Sequence, residues 1–197
     1  FFTSPFHKSA ILVIDGIGEF GTTWLGTGRG NAIKMIKQID YPNSLGFVWE
    51  KVSEFLGLTE HDSSKVMGLA AFGDPERFYA KFKKLVKLFP NGSFKVNNDI
   101  LQFRIYDYAA MEKFFGLKKL TRIEDRSRAH EDLAATLQVI TNEVFCHLAN
   151  YLSQKTGLRK LCLSGGVALN CVANAVIMKK EYFKEIYIEP AANDAGT

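Results

Sequence analysis

The stretch KLCLSGGVALNCVANAVIM, from Lys160 to Met178, decides the fold of this chain. Its residues 161–164 have strand character, a glycine pair follows, and an apolar helical pattern begins directly after the pair. A strand that turns through Gly165 and Gly166 into a helix can present backbone N–H groups to an anion. Asn170, four residues past the pair, is placed to reach the same ligand. A tight strand-to-helix turn with nothing bound explains the pattern equally well.

A second glycine loop lies in ILVIDGIGEFGTTWLG, residues 11–26. Asp15 ends an apolar strand, and Gly16, Ile17 and Gly18 form the turn into the next strand. A carboxylate beside glycine amides can hold a cation while the amides hold a phosphate. A hairpin with a solvent-facing aspartate remains an alternative. Two such loops in one α/β chain suggest a nucleotide clamped between the ends of strands.

The composition indicates a globular domain with an ample core. The chain has 197 residues, of which 47% are hydrophobic, and it includes 16 phenylalanines. Its net charge of +4 is mild, and its lysines concentrate at 81–95 and 113–119, which favours solvated faces over a nucleic-acid surface. The three cysteines lack any CxxC spacing and are typical of a reduced, cytoplasmic protein. With no signal peptide and no apolar run of membrane-spanning length, we expect no membrane partner.

Three regions follow one another along the chain. Residues 9–39 predict an antiparallel meander, and residues 44–126 are mainly helical, with a helix over 76–88 and a small hairpin over 90–105. Residues 127–197 predict one long helix to Thr156 and then a strand–Gly-Gly–helix–strand unit. We interpret all 197 residues as part of one domain. Because the chain starts at Phe1 and stops in a polar loop after a strand, we expect the fold to be incomplete at both ends.

Five motifs carry a family resemblance, in the order IDGIGE (14–19), YPNSLG (41–46), KVMGLAAFGDP (65–75), SGGVALNCVAN (164–174) and PAANDAGT (190–197). Together they resemble the carbamoyltransferases of nodulation and antibiotic biosynthesis. The catalytic part of these enzymes is similar to the ATPase that makes threonylcarbamoyl-adenosine in tRNA. The resemblance implies an α/β structure of the actin-like ATPase and sugar-kinase (ribonuclease H-like) fold, with a mixed sheet and flanking helices.

The resemblance also implies a reaction in two steps. Carbamoyl phosphate and ATP, with Mg²⁺, give a carbamoyl-adenylate, and the carbamoyl group then passes to a hydroxyl of a small-molecule acceptor. An adenylate-forming domain is expected further along the full-length protein, so the 197 residues alone are expected to be inactive. Acceptor specificity is expected in the loops of residues 89–126.

The resemblance further implies an Fe²⁺ ion bound by two histidines and two aspartates. Asp15 and Asp194 match the aspartates, and the histidine pair is expected upstream of Phe1. The chain's own histidines (His7, His61, His130 and His147) do not have the required spacing, and we interpret them as ordinary surface or partly buried residues.

The residues expected to bind the nucleotide or the carbamoyl-adenylate come from both glycine loops and from KVMGLA. They are Gly16, Ile17, Gly18, Lys65, Gly68, Gly165, Gly166 and Asn170. Two other functions remain open. One is a nucleotide-binding module without catalysis, and the other is a kinase of the related sugar or acetate type. A kinase would transfer the γ-phosphoryl group of ATP instead of a carbamoyl group.

Overall fold

The structure is a computed structural model that describes residues 1–193. Within them, a five-stranded mixed sheet has the order β3-β2-β1-β6-β7, and β4 and β5 form a separate two-stranded hairpin. The strands are β1 (Lys8–Ile14), β2 (Gly21–Arg29), β3 (Ala32–Asp40), β4 (Val86–Phe89), β5 (Ser93–Val96), β6 (Lys160–Ser164) and β7 (Glu185–Ile188).

Helices of very different length connect these strands. They are α1 (Leu45–Phe55), α2 (Ser63–Leu69), α3 (Glu76–Leu85), α4 (Asn98–Leu101), α5 (Ala109–Phe115), α6 (Arg128–Thr156) and α7 (Cys171–Lys179). The predicted long helix is confirmed as α6, a single helix of 29 residues. Gly157 follows it with φ +64°, a conformation that favours glycine and ends a helix. No helix in residues 1–193 is both long enough and apolar enough to cross a membrane.

The predicted meander at the start of the chain is confirmed. β1 pairs antiparallel with β2 from Lys8↔Arg29 to Ile14↔Thr23, and β2 pairs antiparallel with β3. β1 is buried along almost its whole length, whereas β3 exposes its first residues as the edge strand. These features follow from the sequence, because β-branched and aromatic residues fill the runs between the glycine-rich turns.

The predicted strand–helix–strand unit is also confirmed, with one correction. β6 lies parallel to both β1 and β7. The helix was expected to begin directly after the glycine pair, but residues 166–169 form a 3-10 turn and α7 starts only at Cys171. Three antiparallel strands are continued by two parallel strands, and the helices follow β3 and β6 in the chain, so the expected mixed α/β sheet is confirmed.

Two boundaries in the middle of the chain were wrong. The helix expected over 76–88 ends at Leu85, because Val86 adopts extended backbone (φ −120°, ψ 111°) and opens the hairpin. The hairpin therefore lies at 86–96 instead of 90–105. Asn97 then caps α4 by accepting a hydrogen bond from the amide of Asp99.

The chain divides into two compact units. The sheet unit contains residues 1–46, 88–94 and 142 onward, and the helical unit contains residues 47–87 and 95–141. The strands of the large sheet supply buried side chains of the sheet unit, among them Leu12, Leu25 and Leu163. In the helical unit the ring of Phe115 lies 5.4–6.2 Å, centroid to centroid, from those of Phe55, Phe78 and Phe82. The assignment of all 197 residues to one domain stays a prediction.

Candidate functional site

Asp15 lies where β1 leaves the sheet, at the start of the first glycine loop. Its backbone N–H donates to the carbonyl of Thr22 (2.9 Å), and the N–H of Gly18 donates to the carbonyl of Gly21 (2.8 Å). These two bonds close the loop between β1 and β2. The half-buried Asp15 side chain is thereby held at the edge where β1 ends.

The carboxylate of Asp15 joins the two glycine loops. Its Oδ1 accepts hydrogen bonds from the amide of Gly16 (2.8 Å) and from the amide of Gly166 (3.0 Å), which is 151 residues away in sequence. The sheet causes this meeting, because β1 and β6 are parallel neighbours and Val13 pairs with Ser164. The carboxyl ends of parallel strands lie at one edge, where α/β proteins place their ligands.

The two residues of the glycine pair are packed against the end of β1 to different degrees. Gly165 has φ +89°, and a Cβ there would lie 2.3 Å from the carbonyl oxygen of Ile14. Its amide donates to the carbonyl of Ala192 (2.9 Å). A Cβ on Gly166 would lie 3.1 Å from Oδ1 of Asp15. The loop after β6 is therefore pressed against the end of β1.

A third segment, at the start of α1, completes this site. The hydroxyl of Ser44 donates to the carbonyl of Gly16 (2.6 Å), and a Cβ on Gly46 would lie 2.6 Å from the backbone of Gly16. None of the predicted site residues lies in YPNSLG, which was quoted only as a motif of the family resemblance. Its signal was a serine and a glycine flanking a helix start, and the structure shows that both contact the Asp15 loop.

Asn170 serves the local structure of α7. It is buried, and its Oδ1 accepts a hydrogen bond from the amide of Ala173 (2.9 Å), which makes it the N-cap of the helix. Asn174, also buried, donates from Nδ2 to the carbonyl of Ala168 (2.7 Å), while its Oδ1 has no hydrogen-bond partner within residues 1–193. An unpaired buried acceptor is uncommon, and the sequence did not single out Asn174.

The glycine amides that were expected to bind a phosphate already donate hydrogen bonds to oxygen atoms of the protein. Those of Gly16 and Gly166 donate to Asp15, and those of Gly18 and Gly165 donate to backbone carbonyls. The phosphate cradle therefore stays a prediction. What the structure shows is that the two loops fix the orientation of one carboxylate.

Three predicted site residues have not yet been placed: Lys65, Gly68 and Asp194. Lys65 and Gly68 belong to α2 of the helical unit. Lys65 is exposed and forms an ion pair with Asp62 at 2.8 Å, and a Cβ on Gly68 would contact nothing within 4 Å. Their nucleotide-binding role stays a prediction. Asp194, the second predicted metal ligand, lies outside the described residues.

Among the described residues, Asp15 can supply one oxygen ligand to a cation, but there are too few metal-ligating side chains for an iron site. Within residues 1–193, Oδ2 of Asp15 accepts no hydrogen bond, so this oxygen is available to a hard cation. No group of three or more His, Cys, Asp or Glu side chains in the same residues could hold a metal ion. One carboxylate oxygen does not select iron over magnesium.

Comparison with known proteins gives the family. The family model described as "Carbamoyltransferase N-terminus" matches residues 1–197. This chain belongs to that family of transferases. It is 36% identical to the uncharacterized protein sll1178 of Synechocystis and 33% identical to the nodulation protein NolNO of Sinorhizobium fredii. Each match covers the whole chain, but only 32% and 28%, respectively, of the relative.

More distant relatives extend the comparison. Over 71% of its length, the chain is 29% identical to the tRNA N6-adenosine threonylcarbamoyltransferase of Prochlorococcus marinus strain NATL1A, of which it covers 37%. A solved structure, component A of the (R)-2-hydroxyglutaryl-CoA dehydratase of Acidaminococcus fermentans, is similar with a TM-score of 0.47 and 15% identity. That match covers 99% of this chain and 60% of the other, and nothing about function follows from a likeness at this level. The chain thus spans about a third of the length of the curated relatives it matches.

Proposed function

We propose that this chain is the nucleotide-binding part of a cytoplasmic, ATP-dependent carbamoyltransferase. The full-length protein takes a carbamoyl group from carbamoyl phosphate, carries it as carbamoyl-adenylate, and transfers it to a hydroxyl of a small-molecule acceptor. Family membership supports the transferase class. Similarity to tRNA threonylcarbamoyltransferases, whose name describes transfer of a related group, supports the carbamoyl chemistry.

One observation carries the proposal: the Asp15 carboxylate is held by amides from both glycine loops at one edge of the sheet. A turn residue in a plain hairpin needs no partner 151 residues away. Two hydrogen bonds to one oxygen fix the direction of the carboxylate and leave Oδ2 available. Such a fixed carboxylate is suited to bind a cation that accompanies a nucleotide.

The proposed reaction has three steps. Carbamoyl phosphate loses inorganic phosphate with uptake of water. The resulting carbamate oxygen bonds to the α-phosphorus of ATP, and pyrophosphate leaves. The acceptor hydroxyl oxygen then bonds to the carbamoyl carbon, the bond from that carbon to the AMP oxygen breaks, and the hydroxyl proton passes to a base. The products are the O-carbamoylated acceptor, AMP, pyrophosphate and phosphate.

In this reaction, the described residues of the chain position the Asp15 carboxylate. Gly16 and Gly166 orient Asp15, and Ser44 anchors the loop that carries it. A cation bound with Asp15, Mg²⁺ with the nucleotide or Fe²⁺ at the transfer centre, would neutralise phosphate charge and polarise the carbonyl. Fe²⁺ would require further ligands, for which we propose Asp194 and a histidine pair outside this chain.

The test uses the full-length protein with ATP and carbamoyl phosphate. We expect AMP and pyrophosphate to form only when carbamoyl phosphate is present. Asp15→Asn keeps the shape of the side chain but loses its charge, so turnover should fall by about a hundredfold or more. The cost in unfolding free energy should be about 1 kcal/mol, because a neutral oxygen can still accept both amides. Asp99→Asn, on the exposed side of α4, is the matched control and should change neither quantity.

Each alternative function has its own outcome in this assay. Carbamoyl-phosphate-independent ADP formation would identify a kinase, since γ-phosphoryl transfer leaves ADP. Nucleotide binding without turnover would identify a module that binds without catalysis. Unchanged turnover in Asp15→Asn would show that Asp15 is only a turn residue and would remove the basis of the proposed site.

A further inference from the structure

One buried side chain of α7, that of Asn174, is polar where packing alone calls for an apolar residue. The buried positions of this helix are Ala173, Asn174 and Ile177, and the other two are apolar. Asn174 is 6% exposed, so its amide lies out of reach of bulk water. A buried amide costs stability unless its polar atoms are hydrogen-bonded. The presence of asparagine at this position therefore needs a reason other than packing.

The two polar atoms of this amide are used unequally. Nδ2 donates to the carbonyl of Ala168 at 2.7 Å, six residues back along the chain. Oδ1 accepts no hydrogen bond within residues 1–193. Leucine has the same number and branching of heavy atoms, and it would occupy the position without leaving an oxygen unpaired. We conclude that the side chain is held in place for its Nδ2 donor.

The helix that carries Asn174 does not need this donor. Asn170 caps α7 by accepting from the amide of Ala173, and the amide of Asn174 itself donates to the carbonyl of Asn170 at 3.1 Å. A capping side chain and the first backbone bonds are what the start of a helix requires. The bond from Nδ2 therefore serves the residues that precede α7.

Those residues form the 3-10 turn at 166–169, which joins the glycine pair to the helix. The turn contacts both β1 and β6, and its residues Val167 and Ala168 are buried. Its backbone is closed locally, since the amide of Ala168 donates to the carbonyl of Gly165 at 2.9 Å. A 3-10 turn is short and has poorer hydrogen-bond geometry than an α-helix, so a side chain that holds its middle adds to its rigidity.

A short run of contacts then connects Asn174 to Asp15. Asn174 holds the carbonyl of Ala168, and Gly166, two residues earlier in the same turn, donates its amide to Oδ1 of Asp15 at 3.0 Å. All four residues belong to the sheet unit. A displacement of Ala168 moves Gly166 with it, because both lie in one closed turn. The direction of the Asp15 carboxylate therefore depends on the Nδ2 donor of Asn174.

We propose that Asn174 is a positioning residue for carbamoyl transfer: it fixes the 166–169 turn through Ala168 and thereby orients the carboxylate of Asp15. This inference rests on the proposed function of the Asp15 site. Asn174 contacts neither the substrates nor the cation in this role. Its loss should therefore lower kcat and leave the KM for ATP nearly unchanged.

The first measurement is a double-mutant cycle on AMP formation by the full-length protein with ATP and carbamoyl phosphate. Asn174→Leu removes the donor and the unpaired oxygen together, so Tm should stay within about 2 °C of the wild type while kcat falls about tenfold. In the Asp15→Asn background, Asn174→Leu should lower turnover no further, because its effect acts through a carboxylate that is already lost. A further tenfold loss in the double variant would overturn the proposal.

The second measurement needs no turnover. Hydrogen exchange of residues 166–170, followed by mass spectrometry on the full-length protein, should become about tenfold faster in Asn174→Leu, with β1 unchanged. Asn174→Asp keeps the shape but replaces the donor by an oxygen, so it should give the same increase and serves as the second variant if Asn174→Leu fails to fold. Asn150→Leu, on α6, where the amide oxygen accepts from Gln154, is the matched control and should change neither turnover nor exchange.

The two measurements separate this inference from the proposed function. Unchanged exchange at 166–170 in both Asn174 variants would overturn the positioning role even if the wild type forms AMP. A wild type that forms no AMP from carbamoyl phosphate and ATP would contradict the proposed function. The exchange result would then still decide whether Asn174 fixes the turn that holds Asp15.

Discussion

Gly165 and Gly166 are neighbours, but they serve different purposes at the edge of the sheet. Gly165 holds φ +89° with no room for a Cβ against Ile14. Gly165→Ala should therefore lower the free energy of unfolding by about 3 kcal/mol, from backbone strain and from the clash with a backbone carbonyl that cannot move. Urea unfolding followed by circular dichroism measures this loss. A loss below about 1 kcal/mol would mean that the turn can relax.

Gly166, in contrast, leaves room for the Asp15 carboxylate and is not required by the backbone conformation. Its φ lies outside the left-handed region, and its Cβ would be 3.1 Å from Oδ1 of Asp15, so the carboxylate must shift by a few tenths of an ångström. Gly166→Ala should leave stability nearly unchanged and lower turnover by about tenfold. The pair of variants thus separates fold from function. Equal loss of stability in both would contradict a positioning role for Gly166.

The sequence predicts that Asp15 and Gly166 lie close together, but it does not predict the hydrogen bond between them. Each follows a strand, and strand ends of one parallel pair share an edge, so their proximity follows from the pattern. The hydrogen bonds from Gly16 and Gly166 to the carboxylate depend on the local path of two loops, which no periodicity encodes. Ser44 and Asn174 were missed for the same reason, because their partners are backbone carbonyls far along the chain or across a turn.

Among the elements, α7 shows how one side chain sets a boundary. Its N-cap is Asn170, whose Oδ1 accepts from the amide of Ala173. Asn170→Ala should cost about 1 kcal/mol of unfolding free energy, whereas Asn170→Asp should cost little because its carboxylate also caps and favours the helix N-terminus. Unfolding curves of the two variants give this comparison.

The same two variants test the ligand role predicted for Asn170. If its amide also contacts the nucleotide, Asn170→Asp places a negative charge beside phosphate and weakens ATP binding despite a stable fold. ATP affinity measured by calorimetry on the full-length protein separates the two roles. Unchanged affinity in Asn170→Asp would leave Asn170 as a cap alone.

Element boundaries were predicted well where the periodic pattern ran over a long segment and poorly where the segment was short. The 29 residues of α6 carry many turns of apolar spacing, so both of its ends were found within one residue. Around Val86 the amphipathic pattern of α3 runs on into KLF, and only pairing with β5 makes these residues a strand. Tertiary pairing overrides helical propensity there.

At the scale of the molecule, the chain passes between the two units several times. Residues of α1, of the β4–β5 hairpin and of α6 are divided between them. A continuous helix such as α6 cannot unfold in one unit without losing backbone hydrogen bonds at the border of the other. This connectivity was not visible in the sequence, which suggested three consecutive regions instead.

We therefore predict that the two units unfold together. In hydrogen exchange with mass spectrometry across a urea series on the full-length protein, amides of β1 in the sheet unit and of residues 133–141 of α6 in the helical unit should open with equal free energies. Exposed segments such as residues 122–127 serve as the control, since they should exchange by local fluctuation at every urea concentration. If residues 133–141 opened at clearly lower urea than β1, the helical unit would be an independent folding unit. Coincident opening would mean that variants in either unit have to be assessed in the intact chain.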